Sequence, residues 1–146
     1  ENDKGMFCTM YIGEVDLTTG RLNYCNAGHN APLIGDRPLS PHQPCRPSYI
    51  EMESNAPIGL WPDLEFVGEH IDSVRGRTLF IYTDGLTEAE NLSQEQFGES
   101  RLIRLFETRP YETARQAIDI VKASVAAFVG EAEPSDDQTM LCIKVK

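Results

Sequence analysis

Residues 78–83, Thr-Leu-Phe-Ile-Tyr-Thr, constrain the fold most, because this short apolar and β-branched run ends abruptly at Asp84-Gly85. A run of this kind, bounded by polar turn residues, reads as a strand buried on both faces, and such a strand requires a sheet covered on each side. The remaining segments supply that cover. Residues 6–15 and 21–26 are β-rich and flank Asp16-Leu17-Thr18-Thr19-Gly20, the pattern of a hairpin. Pro32-Leu33-Ile34 suits a short strand, and residues 65–71 alternate weakly and suit another. Residues 37–48 hold Pro38, Pro41, Pro44 and Pro47, and are expected to be a loop or edge segment without regular pairing.

Helical periodicity appears only late in the chain. Leu102, Leu105 and Phe106 share one face of a helix over residues 101–107, closed by Arg109-Pro110. Ala114, Ala117, Ile118, Val121, Val125 and Phe128 recur at three- and four-residue steps and predict the longest helix, over residues 111–128, as a core-facing stripe. Residues 130–134 end it, and a last strand is expected over residues 138–146. Strands, a strand, two helices and a strand in that order imply an α+β chain, since parallel folds alternate strand and helix more regularly.

The 146 residues suffice for one domain with a real core, because chains of about this length bury roughly 68–70% of their unfolded surface. Thirteen Lys and Arg against twenty-three Asp and Glu give a formal charge of −10, which argues against a nucleic-acid footprint. Phosphate-bearing substrates would also be repelled unless a metal inverted the local sign. No window approaches the roughly 20 apolar residues of a membrane span, and a soluble, cytoplasmic setting is expected. Cys8, Cys25, Cys45 and Cys142 lack metal-site spacing and read as buried free thiols.

The carboxylates pose the functional question. Asp84 follows one buried strand and Asp136 and Asp137 precede another, so neighbouring strands would bring these acids to one sheet end. Hard oxygen donors suit Mg²⁺ or Mn²⁺. Gly85 allows a sharp backbone turn there. On spacing alone, an ordinary Asp-Gly turn and a solvated Asp-Asp pair stand beside that reading. The haloacid-dehalogenase signature is excluded, because Tyr82 occupies the place of its nucleophilic aspartate. Lipase-type nucleophile elbows, Walker loops and EF-hand spacing are absent from the sequence. His29 lies in a Gly-Asn turn without a second His at ligand spacing, and His42 and His70 are isolated.

Four segments together resemble one family: residues 6–34 (MFCTMYIGEVDLTTGRLNYCNAGHNAPLI), 55–60 (NAPIGL), 78–91 (TLFIYTDGLTEAEN) and 136–145 (DDQTMLCIKV). Their content and order are similar to the metal-dependent serine/threonine protein phosphatases, the PPM family, in the bacterial branch of sporulation protein E and stress-response sigma-factor regulators. The resemblance implies a layered α-β-β-α sandwich of mostly antiparallel sheets, and a centre of two Mg²⁺ or Mn²⁺ ions whose water attacks phosphorus directly. It implies that Asp84 and Asp136 ligate one ion, with Asp137 in a variable second place as a fallback ligand. Glu88 and Gly85 would support the loop, the Ala27-Gly28-His29 turn would be scaffold, and Thr139 would be structural.

The family's first metal aspartate belongs to a segment upstream of what corresponds to Met6. Residues 1–146 are therefore expected to be the C-terminal part of such a domain, inactive alone, with an unpaired sheet edge that invites a homodimer. The implied partners are a phosphorylated regulatory protein resembling an anti-sigma antagonist and an upstream sensory domain. The alternative is a catalytically degenerate domain used as a regulatory binding module. A weaker third reading is an acidic α+β domain with no metal.

Overall fold

The computed structural model describes residues 5–36, 46–53 and 55–146. The chain divides into two compact units, Glu1–Ala31 with Ile50–Arg75, and Pro32–Tyr49 with Gly76–Lys146. The described residues form an α+β arrangement with two antiparallel sheets and three helices.

In the first unit β1 (Met10–Val15), β2 (Leu22–Ala27) and β5 (Glu69–Ile71) form a three-stranded sheet in the order β1-β2-β5. The expected hairpin is present, with Met10 opposite Ala27 and Val15 opposite Leu22. Its turn is built by Asp16, whose Oδ1 accepts the amides of Thr18 (2.7 Å) and Thr19 (3.2 Å). Arg75 closes the turn from outside by donating to the carbonyls of Leu17, Thr18 and Thr19. Gly20 is required there, because its φ is +82° and a Cβ would lie 2.6 Å from Arg75 Cγ. The strand expected over residues 65–71 shortens to Glu69–Ile71, since Asn55 engages the backbone of Val67 through its side chain instead.

The amides of Thr18 and Thr19 hold the Asp16 carboxyl below its ordinary range. A carboxyl with a lowered folded value contributes stability that is complete above the unfolded value and is lost as pH falls through the folded one. Asp16→Asn is therefore expected to narrow the gap in melting temperature between about pH 7 and about pH 3, measured by circular dichroism. An unchanged gap would show that the turn carries none of the acid sensitivity.

The second unit holds β3 (Leu33–Gly35), β4 (Pro47–Tyr49), β6 (Thr78–Tyr82) and β7 (Met140–Lys144) in the order β4-β3-β6-β7. β6 is interior, paired antiparallel to β3 on one side and β7 on the other, with Thr78, Leu79, Phe80 and Tyr82 buried. Residues 37–45, with Pro38, Pro41, Pro44, His42 and Cys45, lie outside the described residues. The expectation of no pairing through residue 48 is corrected, since Pro47 and Ser48 pair with Gly35 and Ile34. Pro47 is tolerated as the first residue of an edge strand, where a missing N–H costs little.

The helices are α1 (Asp84–Thr87), α2 (Gly98–Thr108) and α3 (Ala114–Val129). α2 buries Leu102, Leu105 and Phe106, the expected face. α3 begins with its stripe at Ala114 and not at the expected residue 111, because Thr113 and Gln116 form a capping box, and Gly130 at φ +61° ends it. The core of this unit gathers Leu33, Phe80, Tyr82, Phe106, Val121 and Val125 among others. β7 turns Met140 and Cys142 inward and leaves Leu141 and Ile143 exposed. The expectation of buried thiols fails at Cys8, which is exposed, while Cys25 and Cys142 are half-buried. Cys8 lies before β1 in a segment held by its backbone bridge to Ile58, so its side chain has no sheet to pack against.

Candidate metal centre

The end of β6 and the approach to β7 bring the backbone of Asp136 and Asp137 beside Gly85. The ladder closes with Tyr82 opposite Met140, and one step further the Thr83 amide donates to the Thr139 carbonyl (3.0 Å). The Thr139 amide donates in return to Thr83 Oγ1 (3.1 Å). This reciprocal clasp fixes where residues 136–138 arrive beside Asp84. Thr139 takes part through its backbone alone, while Thr83 contributes its hydroxyl, a part not assigned from the sequence.

Asp84 does not sit in a simple turn. It is the first residue of α1, where the Glu88 amide and Thr87 Oγ1 both donate to its carbonyl (2.8 and 3.2 Å). Gly85 does not have a positive φ, so freedom to turn is not why a glycine stands here. A Cβ on Gly85 would lie 2.4 Å from the Asp137 carbonyl oxygen and 3.3 Å from Asp136 Cβ. The missing side chain is thus the space into which the Asp136-Asp137 backbone fits.

The three carboxylates are solvent-exposed. Asp84 Oδ1 accepts the Gly85 amide (3.0 Å) and Asp136 Oδ1 accepts the Asp137 amide (2.7 Å). Among the described residues, no group of three or more His, Cys, Asp or Glu side chains is gathered closely enough to hold an ion. Mg²⁺ commonly takes one or two carboxylates and keeps several waters, so the oxygen donors at this strand end fit a hard divalent cation. Glu88 is exposed one turn beyond Asp84.

His29 belongs to the other unit. Its amide donates to Asn26 Oδ1, Asn26 Nδ2 donates to its carbonyl (each 2.9 Å), and its Nδ1 lies 3.0 Å from the Asn30 carbonyl. Gly28 has φ +72°, and a Cβ there would meet Pro57 Cγ at 2.6 Å. These contacts give the Ala27-Gly28-His29 turn a local structural role.

The two antiparallel sheets and three helices among the described residues match part of a PP2C-type phosphatase fold. The phosphatase domain of the cell fate determinant SpoIIE from Bacillus subtilis, presoaked with Mn, matches with a TM-score of 0.66 at 16% identity, over 94% of this chain and 56% of that one. The chain belongs to the Stage II sporulation protein E (SpoIIE) family, whose model matches residues 1–146. Protein IcfG of Synechocystis sp. is 29% identical over 142 residues, 97% of this chain and 21% of the relative. The phosphoserine phosphatase RsbP of Bacillus subtilis is 30% identical over 82 residues, 56% of this chain and 19% of the relative. The chain therefore spans about a fifth of the length of these curated relatives.

Proposed function

We propose that this chain is part of a PPM-type phosphatase domain and supplies Asp84 and Asp136, with Asp137 as the fallback ligand, to a two-ion Mg²⁺ or Mn²⁺ centre. The reaction is hydrolysis of phosphoserine or phosphothreonine on a regulatory protein, in bacterial signalling of the sigma-factor-control kind. Family membership supports the reaction class, and the name of RsbP, a phosphoserine phosphatase, supports the substrate class. The observation that carries the assignment is the close approach of Gly85 to the Asp137 carbonyl, which sets Asp84 beside the Asp136-Asp137 pair.

Bound divalent ions would lower the pKa of a water and neutralise the phosphate oxygens. The residues of this chain hold and orient oxygen donors. Asp84 is fixed at the first turn of α1, with one oxygen tied to the Gly85 amide. Asp136 is similarly tied to the Asp137 amide, so both carboxylates meet a cation with less rotamer freedom to lose. The charge of −10 would repel a phosphoprotein from a bare site, which makes cations a condition for substrate binding as well as for chemistry.

The test is Mn²⁺-dependent hydrolysis of p-nitrophenyl phosphate and a phosphoserine peptide by the full-length protein. Asp84→Asn is expected to weaken Mn²⁺ binding, read by calorimetry, by roughly ten- to a hundredfold or more, since even indirect supports of metal ligands cost that much. Turnover should fall at least tenfold in parallel, and the metal-free melting temperature should hold. If Asp84→Asn unfolds the metal-free protein, Asp84 is a structural residue. Silence of the full-length protein with metal supplied would favour the degenerate binding module.

A further inference from the structure

The basic residues of this chain are few, yet three of them converge. Of thirteen Lys and Arg in the sequence, Arg101, Arg104 and Arg109 line one groove of about 300 Å³ between α2 and α3. Among the described residues no carboxylate lines it, although the chain carries twenty-three, and neither Glu99 nor Glu107 of the same helix reaches it. Helical spacing explains the convergence, since positions 101, 104 and 108 fall on one face and Arg109 follows at the C-cap.

The three arginines are not equivalent. Arg101 is committed to the fold: its Nη1 donates to the carbonyls of Gln96 (2.9 Å) and Phe97 (3.0 Å), and its guanidinium lies 4.6 Å from the Phe128 ring centroid. It lays a fixed positive charge over the aromatic floor made by Phe97 and Phe128, whose rings meet edge to face at 5.5 Å. The guanidinium groups of Arg104 and Arg109 have no ion pair or hydrogen-bond partner among the described residues. The ion pairs that do form lie elsewhere, at His70–Asp72, Arg77–Asp36 and Arg115–Asp119.

The geometry points to this groove as a docking site for an acidic polypeptide segment with an apolar side chain beside its carboxylates. Two free guanidinium forks match carboxylates in bidentate geometry, which a lysine patch would not do. Phe128, half-buried beneath the Arg101 guanidinium and backed by the buried Phe97, offers a small apolar contact for one side chain of the segment. Complementarity of sign favours a peptide over extended polyanions. A chain of net charge −10 is repelled by a nucleic acid or an anionic membrane at long range, whereas a short acidic segment need engage only the local field of the groove.

Fluorescence anisotropy with a fluorescein-labelled peptide of Glu and Leu residues tests this, and the readout does not depend on catalysis. The double reversal Arg104→Glu with Arg109→Glu is expected to weaken binding at least tenfold, and raising salt should weaken the parent complex progressively. The pair Arg115→Glu with Lys122→Glu, which changes net charge equally but lies outside the groove, should change affinity less than twofold. Should the reversal lower the melting temperature, the neutral pair Arg104→Gln with Arg109→Gln is measured in its place, with the same expected loss. Equal loss in that control pair would reduce the effect to net charge and overturn the assignment. So would undiminished binding by the double variant, failure of the parent protein to bind the peptide, or equal binding to vesicles of phosphatidylserine and phosphatidylcholine.

Discussion

Phe106→Ala is expected to destabilise the protein by about 3–5 kcal/mol, the cost of deleting a buried aromatic side chain and leaving its cavity. Phe106 is 3% exposed and meets two other rings edge to face, Phe80 at 5.1 Å and Tyr111 at 5.5 Å. Each such pair adds about 0.5–1.5 kcal/mol beyond area burial, so the upper half of that range applies. Against a total stability of about 5–15 kcal/mol the loss is a large fraction. Phe106→Leu keeps much of the volume and forfeits the ring geometry, and should cost about 1–2 kcal/mol. Urea unfolding followed by near-ultraviolet circular dichroism distinguishes the two variants. A cost below about 1 kcal/mol for the alanine would mean the core collapses around the gap, and that the aromatic chain is not what seats α2 on β6.

That chain of rings shows why so much of the fold could be read from the sequence. Leu102, Leu105 and Phe106 announce their buried face by spacing alone, and so do Ala117, Val121 and Val125 on α3. Periodicity reports which residues face a core, and these helices have one-sided contacts, so period and burial agree. The hairpin of β1 and β2 was legible for a similar reason, since its turn is specified by Asp16 and Gly20 within the turn itself. The short elements were harder. β4 holds three residues and begins with a proline, and its strand character exists only because β3 lies alongside. α1 holds four residues, too few for a period, and is closed by Thr87 and Glu88 bonding to the Asp84 carbonyl.

At the candidate centre the residue types were legible and their supports were not. Asp84, Asp136 and Asp137 stand out as acids flanking strands, but nothing local reveals that Thr83 and Thr139 clasp each other across residues 56 apart. Such contacts depend on β6 and β7 being neighbours, which is information of the sheet and not of either segment. The same holds for Arg75 closing the Leu17-Thr18-Thr19 turn from 57 residues away. His29, read from the sequence as part of a scaffold turn, makes its contacts with Asn26 and Asn30 within that turn.

Gly85→Ala sets two effects of opposite sign against each other. In a helical first turn, Ala is favoured over Gly by about 0.5–1 kcal/mol, and Gly85 has no positive φ to penalise the change. Opposing this, the added methyl would lie 2.4 Å from the Asp137 carbonyl oxygen and 3.2 Å from its carbonyl carbon. Those are backbone atoms, held by the Thr83–Thr139 clasp, and cannot swing aside as a flexible side chain would. Overpacking of this kind costs about 1–3 kcal/mol, so the clash outweighs the helical preference and the variant should be less stable. The larger consequence is for the proposed centre. Relief comes most simply by moving residues 136–138 away from α1, which separates Asp136 from Asp84 and should weaken Mn²⁺ binding by at least tenfold. Asp84→Asn would share that loss without the fall in metal-free stability, so calorimetry and metal-free melting together separate a ligand from the glycine that positions it. Normal Mn²⁺ binding by a stable Gly85→Ala protein would show that the two acids do not act on one ion.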